Sequence, residues 1–306
     1  MAKLQKPEFI YFERQIRPWD DAKIHVSAEA VFRGLNCFEG LKAYWQNDGS
    51  MGVVSLQRHY ERFKRSAKLL RMPFDYSWEE FEDAVHGIIK ALCRPENNIW
   101  VRATLYMMEG HWGEDQRTDL CLQAFQTSTD RPEPITIGVS TWKRAEDNML
   151  PPRIKTSSNY QVARMAKIEG RERGFSEMVI LNSKDRVAET GGSCVLIVRD
   201  GVVATPPASE GVLESITVDL VEALARERGI PFERRPIDRT ELHIAEEIAL
   251  AGTLSELTPV SAVDDYPVEG NSRILSDLTD AYFEMVTEGH PMAGLSCRNY
   301  QDESDT

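Results

Sequence analysis

Apolar side chains recur at Leu56, Tyr60, Phe63, Ala67 and Leu70, the spacing of one helix face, and predict a helix over residues 56–70. A second helix follows over 78–92. Ser77 is placed to cap it, and Trp78, Phe81, Val85, Ile88, Ile89 and Leu92 form its apolar side. The period then changes. Over 99–107 the alternation of a strand puts Trp100, Arg102, Thr104 and Tyr106 on one face. Strands are also predicted over 9–17, at the end of the glycine-bearing stretch 28–44, over 52–56 after the turn signal Asn47-Asp48-Gly49, and over 120–126. Strands, two helices and strands again make an α+β unit.

Residues 127–134 are polar and carry two prolines, as an interdomain linker does. The predicted division is a smaller N-terminal α/β domain over 1–127, a linker over 128–134 and a larger strand-rich domain over 135–306. In the second half, strands are predicted over 135–140, 177–181, 193–199, 202–205 and 248–250. Helices are predicted over 159–173, ended by Gly174, over 215–228, capped by Ser215, near Leu242, capped by Thr240, and over 276–288. Asp200-Gly201 marks a hairpin. The stretches 109–115, 142–152 and 206–214 are expected to be loops, and residues past 296 to fray.

Composition narrows the class. The 306 residues are 42% hydrophobic and 28% charged, an ordinary globular mix with room for one large or two medium domains. No run of about 18 apolar residues is present, and residues 1–7 lack an apolar signal core, so a cytoplasmic protein without a membrane span is expected. The net charge of −13 disfavours nucleic acid and anionic membrane as partners. Five scattered cysteines and six histidines show no metal-ligand spacing, so no metal is expected, and His111 remains only a pocket candidate.

The chemistry centres on Arg153-Ile154-Lys155-Thr156-Ser157-Ser158-Asn159-Tyr160. Most lysines are solvated surface charges. Lys155 instead stands among small hydroxyl and amide residues ahead of a helix, a setting that suits a lysine which must lose its proton and attack a carbonyl. Three features favour a pyridoxal phosphate (PLP) Schiff base on Lys155 over the surface reading. Tyr160 could donate to an oxygen beside it. Glu189, ahead of Thr190-Gly191-Gly192-Ser193, could hold a ring nitrogen protonated. Ser215-Ile216-Thr217 at a helix start and the turn Gly252-Thr253 could bind phosphate, with Arg62 or Arg58 as the neutralising fork. Each of these features alone is an ordinary cap, turn or packed residue.

Taken in order, the motifs resemble the class IV, fold-type IV PLP-dependent aminotransferases, and most closely the branched-chain amino acid aminotransferases. The resemblance spans about residues 38–260. It rests on Phe38-Glu39-Gly40-Leu41-Lys42, the Arg62 helix, Lys155 to Tyr160, Glu189 to Ser193, Asp200-Gly201 with Thr205-Pro206-Pro207, Ser215-Ile216-Thr217, and Ala251-Gly252-Thr253 through Val260. It implies a two-domain α+β fold and a ping-pong transfer of an amino group from an amino donor, a branched-chain-like L-amino acid, to a 2-oxo acid. Lys155 would carry the cofactor and move the α-proton. Tyr160 would bond the ring 3-hydroxyl oxygen, Glu189 the pyridine nitrogen, and Leu213 would pack on the ring. Arg62, Ile216, Thr217 and Thr253 would hold the phosphate. Thr253 and Leu254 would seat the substrate carboxylate. Phe38, Gly40, Trp100 and Arg102 would line the pocket. Family members are homodimers or larger, with the site between two domains.

The sequence departs from the family pattern on the substrate side. Arg33 and Trp100 stand where branched-chain enzymes carry tyrosines, which adds Arg33 to the pocket candidates. The loop 109–115 lacks the usual small element, and Thr156-Ser157-Ser158 replaces alanine and glycines. A bulky tryptophan and an extra arginine suit a larger or carboxylated substrate. An (R)-selective amine or D-amino acid aminotransferase is therefore the alternative, ahead of an aminodeoxychorismate-type lyase or a non-catalytic relic.

Overall fold

The structure is a computed structural model that describes residues 6–300. Contacts gather the chain into two compact units, 6–130 with 155–158 and 285–300, and 131–154 with 159–284. This grouping differs from a single cut at 128–134 because two later pieces bond to the first unit. Thr156 donates to the Asn36 carbonyl at 2.6 Å, and Ser296–Arg298 pairs with residues 51–53.

The first unit runs β1 (Phe9–Phe12), β2 (Gln15–Pro18), α1 (Glu29–Phe32), β3 (Asn36–Trp45), β4 (Met51–Val53), α2 (Leu56–Leu69), α3 (Trp78–Leu92), β5 (Asn98–His111) and β6 (Glu114–Thr127). Its strands form one antiparallel sheet in the order β4-β3-β5-β6-β1-β2, and Ser296–Arg298 adds to the β4 edge. The predicted apolar faces of α2 and α3 supply Tyr60, Phe63, Phe81, Val85 and Ile88 to one core with Leu41, Ala43, Val101 and Leu105 of the sheet. Ser77 caps α3 in a reciprocal capping box with Glu80.

Three segments differ from the predicted elements. The single strand over 9–17 is a hairpin, turned at Glu13-Arg14 with φ of 50° and 59°. Two positive φ values fit a type I′ turn, which asparagine and glycine usually announce and this pair does not. The loop 109–115 is the tip of the long β5–β6 hairpin, where His111 faces Glu114 across Trp112-Gly113. The predicted fraying past 296 meets a strand at Ser296–Arg298, and the remainder, 301–306, lies outside the described residues.

The second unit runs β7 (Ile135–Lys143), α4 (Tyr160–Arg173), β8 (Glu177–Leu181), β9 (Val187–Thr190), β10 (Cys194–Arg199), β11 (Val202–Thr205), α5 (Ile216–Glu227), β12 (Phe232–Arg234), β13 (Glu247–Gly252), β14 (Glu256–Val263), β15 (Tyr266–Pro267) and α6 (Ile274–Thr287). Its sheet closes on itself. The order β10-β13-β14-β7-β8-β9 returns to β10 through the pair Glu189–Cys194, around a core that includes Ile137, Val179, Val195, Ile248 and Val260. Glu189 is thus a strand residue at the closure of this ring. The short helix near Leu242 is capped by Asp238, whose reciprocal partner is Glu241, and not by Thr240. Strands β9, β12, β14 and β15 fall outside the predicted elements: β9, β12 and β15 have only 4, 3 and 2 residues, too short to show an alternation, and β14 takes one of its partners from distant β7. The two units are those of the α+β fold-type IV architecture. Among the described residues, no helix is long and apolar enough to cross a membrane.

The connection from α4 to β8 lies so close to β7 that a Cβ on Gly138 would come 2.6 Å from the Phe175 ring. Gly138→Ala should therefore destabilise the protein by about 1–3 kcal/mol in denaturant unfolding, as overpacking does. In the first unit, buried His86 bonds Tyr300 at 2.6 Å and Ser296 at 2.7 Å, and burial, aided by Arg298, pushes its imidazole down to about 4. The unfolded chain binds this proton more readily, so stability should fall as pH drops from about 6.5 towards 4. Comparing Tm against pH for the wild type and His86→Asn should show that slope flattened in the variant by up to about 1.4 kcal/mol per pH unit.

Candidate functional site

Lys155 is moored by its backbone to the first unit. Its carbonyl accepts from the Phe38 amide at 2.9 Å, and its amide donates to Ser66 Oγ of α2 at 3.2 Å. The hydroxyl-rich residues that follow tighten this mooring. Thr156 Oγ1 donates to the Asn36 carbonyl, and the Ser157 amide donates to Asn36 Oδ1 at 3.4 Å. With the peptide fixed at both atoms, only the side chain of Lys155 remains to move. Its Nζ stands 5.1 Å from the Phe38 ring centroid.

The alternation of β3 divides the neighbouring residues between two faces. Cys37, Glu39, Leu41 and Ala43 face the helices, while Phe38 and Gly40 face the other way. In register, Gly40 lies opposite Arg102 and Lys42 opposite Trp100. The Arg102 guanidinium sits 4.3 Å from the Phe38 ring centroid and donates to Ser157 Oγ at 3.4 Å. A Cβ on Gly40 would come 3.2 Å from Trp100 Nε1, so the glycine gives the indole its room. The predicted pocket residues Phe38, Gly40, Trp100 and Arg102 therefore form one connected row beside Lys155. Arg33 is held elsewhere. It pairs with buried Glu29 and stacks 4.1 Å over the Trp112 ring at the β5–β6 tip.

Arg62 is buried, whereas Arg58 on the same helix is exposed. The Nε and Nη2 atoms of Arg62 both donate to Glu39, each at 2.7 Å. His59 Nδ1 adds a third bond to Glu39 at 2.7 Å. Burial alone would raise the Glu39 carboxyl, but the Arg62 guanidinium beside it overcomes this and holds it down at about 2. Burial pushes His59 below its ordinary value against the pull of Glu39, so the imidazole is neutral at pH 7 and donates Nδ1–H. The fork expected to neutralise phosphate is thus engaged on one edge by a carboxylate.

In the second unit, Glu189 Oε1 pairs with Arg144 Nη2 at 2.7 Å, and Oε2 accepts from the Leu213 amide at 3.1 Å. Arg144 is itself braced by the Gly211 carbonyl at 3.2 Å. Glu189 and Leu213 are therefore neighbours, as expected of residues that share one ring. Tyr160 opens α4, and Asn159 before it donates to the Pro151 and Ile154 carbonyls, each at 2.9 Å. At α5 the Ser215 side chain accepts from the Val218 amide. The first amides of a helix have no intrahelical acceptor, so those of Ile216 and Thr217 point outward at the positive end of the helix, where an anion binds. Thr253 and Leu254 follow β13 in a turn. Ser193 and Ser255 bond at 2.7 Å, and a Cβ on Gly252 would come 2.8 Å from Ser255 Oγ and 3.1 Å from the Gly192 carbonyl.

Taken unit by unit, the chemistry suits PLP: the second unit offers an anion-binding helix end, a carboxylate held by Arg144 beside the Leu213 backbone and a tight glycine turn, and the first offers a moored lysine. The sequence did not assign Glu39, His59, Ser66 or Arg144. Glu39 lies inside a quoted motif and gave a signal as a carboxylate in an otherwise apolar strand row. The other three carried none.

Comparison with known proteins shows the family to which the chain belongs. The chain matches the amino-transferase class IV family over residues 36–263. It is 31% identical over 296 residues to a probable branched-chain-amino-acid aminotransferase of Aquifex aeolicus, covering 94% of each chain. It is 30% identical over 298 residues to the branched-chain-amino-acid aminotransferase of Escherichia coli, covering 92% of this chain and 94% of that one. The crystal structure of a branched-chain amino acid aminotransferase from Thermobaculum terrenum in its PLP form superposes with a TM-score of 0.86 at 30% identity, covering 95% and 98% of the two chains.

Arg144→Met would leave the Glu189 carboxylate buried without its cation. Breaking such a pair costs about 3–5 kcal/mol, so denaturant unfolding of the variant should show a loss of that order, and adding Glu189→Gln should recover part of it.

Proposed function

The chain belongs to the class IV aminotransferases, and from that premise we propose that it moves the amino group of a branched-chain L-amino acid to a 2-oxo acid, with Lys155 as the catalytic residue. It is a PLP-dependent transaminase, and its substrates are an amino acid and a 2-oxo acid. The observation that carries the residue assignment is the mooring of Lys155 at both backbone atoms with Nζ left at the Phe38 ring. Bound PLP supplies an electron sink that makes the substrate α-proton acidic.

The residues divide the remaining work. Lys155 Nζ carries the cofactor and then moves the proton at the substrate α-carbon. Glu189, held in place by its pair with Arg144, is the partner for the pyridine nitrogen. Tyr160 is assigned to the ring 3-hydroxyl oxygen and Leu213 to the ring face. The Ile216 and Thr217 amides, Thr253 and Arg62 are assigned to the phosphate. The Thr253 and Leu254 amides are assigned to the α-carboxylate. Phe38, Gly40 and Trp100 offer an apolar wall for a branched side chain. Arg102, beside Phe38, is placed for the distal carboxylate of an acceptor such as 2-oxoglutarate. Arg33, stacked on Trp112, stands farther out along the same unit.

A homodimer in the cytoplasm completes the reading. Exposed Val31, Phe32 and Trp112 form an apolar surface suited to a second copy, and all five cysteines are free thiols.

Lys155→Ala should abolish turnover and the visible absorption of bound cofactor, and retained transamination in that variant would overturn the assignment. With 2-oxoglutarate as acceptor, L-leucine should exceed D-alanine and (R)-1-phenylethylamine by at least about tenfold in kcat/KM, a gap of roughly 1.4 kcal/mol. A reversed order would replace the branched-chain reading with the (R)-amine or D-amino acid one, and release of pyruvate without an acceptor would indicate a lyase.

A further inference from the structure

Glu39 is out of place by the rules that built its strand. Its row on β3, Cys37, Leu41 and Ala43, is apolar and packs under α2 and α3, yet Glu39 is fully buried within it. A carboxylate there is tolerated only with strong partners, and α2 provides them. His59, Arg62 and Ser66 fall at helical spacing, all buried, and make a polar stripe on an otherwise apolar helix face. Ser66 holds the Lys155 amide. His59 and Arg62 hold Glu39.

The stripe does two things to Arg62. It cancels the charge of the guanidinium with the Glu39 carboxylate, and it fixes its plane, because Nε and Nη2 are both committed to Glu39 oxygens while neutral His59 keeps the carboxylate from turning. We propose that Glu39 and His59 are positioning residues for the cofactor phosphate, acting through Arg62. Their effect is to make Arg62 a directed hydrogen-bond donor whose orientation, more than its charge, selects a phosphate-bearing cofactor. This rests on the assignment of Arg62 to the phosphate.

Orientation and charge predict opposite results for Glu39→Gln. The glutamine amide would set an N–H group against Nε–H or Nη2–H, so one of the two bonds becomes donor against donor and the fork must rotate. If charge dominated, removing the anion would strengthen phosphate binding. The discriminating quantity is the ratio of PLP to pyridoxal affinity, measured by absorbance titration of the cofactor-stripped enzyme. Both compounds meet the lysine and the ring, and only PLP meets the phosphate contacts.

Glu39→Gln should lower this ratio at least tenfold. His59→Leu should lower it about threefold or more, and His59→Asn, which restores an N–H at the Nδ1 position, should recover most of the loss. An unchanged or raised ratio in Glu39→Gln, or equal loss of PLP and pyridoxal, would overturn the proposal. Should Glu39→Gln fail to fold, the His59→Leu and His59→Asn pair decides by the same ratio. Arg62→Met is the control for the underlying assignment. If it leaves the ratio at the wild-type value, the assignment of Arg62 to the phosphate fails. If it lowers the ratio while Glu39→Gln does not, only the positioning role fails.

Discussion

The peptide of Lys155 is bonded at both its carbonyl and its amide, and the chemistry of the molecule depends on that fixture. A lysine side chain has four flexible carbons and loses much rotamer freedom when it must act at one point. Holding the main chain leaves only the side-chain torsions to be ordered by a ligand, which is how a long, mobile group becomes a precise one. The partners are a strand amide from Phe38 and a helix hydroxyl from Ser66, both in well-packed elements, so the fixture inherits their rigidity. Residues 155–158 group with the first unit for this reason, although the sequence on both sides of them belongs to the second.

Helix α2 is the means by which one unit supplies both a lysine and a guanidinium. Its apolar residues anchor it on the sheet through Tyr60 and Phe63. Its buried polar residues then have no water to bond and must find protein partners. Ser66 finds the Lys155 amide, and His59 and Arg62 find Glu39. The apolar anchoring makes the polar contacts specific, because a helix free to slide would let water compete for each of them. In the second unit Arg144 and Glu189 repeat the arrangement, a carboxylate paired with a buried arginine that is itself braced on a carbonyl.

What the sequence revealed follows from the range of the interactions that create each element. Helix α2 carries its own periodicity and α3 both a periodicity and a cap, and α3 is predicted at its observed bounds. The turn at Asp200-Gly201 carries its own chemistry. Strand β9 has no such local mark. Glu189 meets Ile180 on one side and Cys194 on the other, but the strand is 4 residues long and buried throughout, so it shows no alternation. The same holds for the site. Lys155, Tyr160 and Glu189 were readable because their neighbours form recognisable motifs. Arg144 and His59 were not, because an arginine after a strand and a histidine on a helix are common, and only the fold shows what they touch.

The substrate side shows how departures from a family pattern can be compensated within one unit. Trp100 is large, but it stacks on Phe125 at 5.6 Å and keeps its Nε1 edge over Gly40, so its bulk lies along the sheet. Thr156 and Ser157 replace smaller residues, and their polar groups are satisfied by Asn36 and Arg102, so they add rigidity beside Lys155 without leaving a buried group unpaired. Arg33 replaces a tyrosine, yet its charge is met by Glu29 and its plane by Trp112, both residues of the same unit. Each substitution therefore arrives with a partner that absorbs its size or charge.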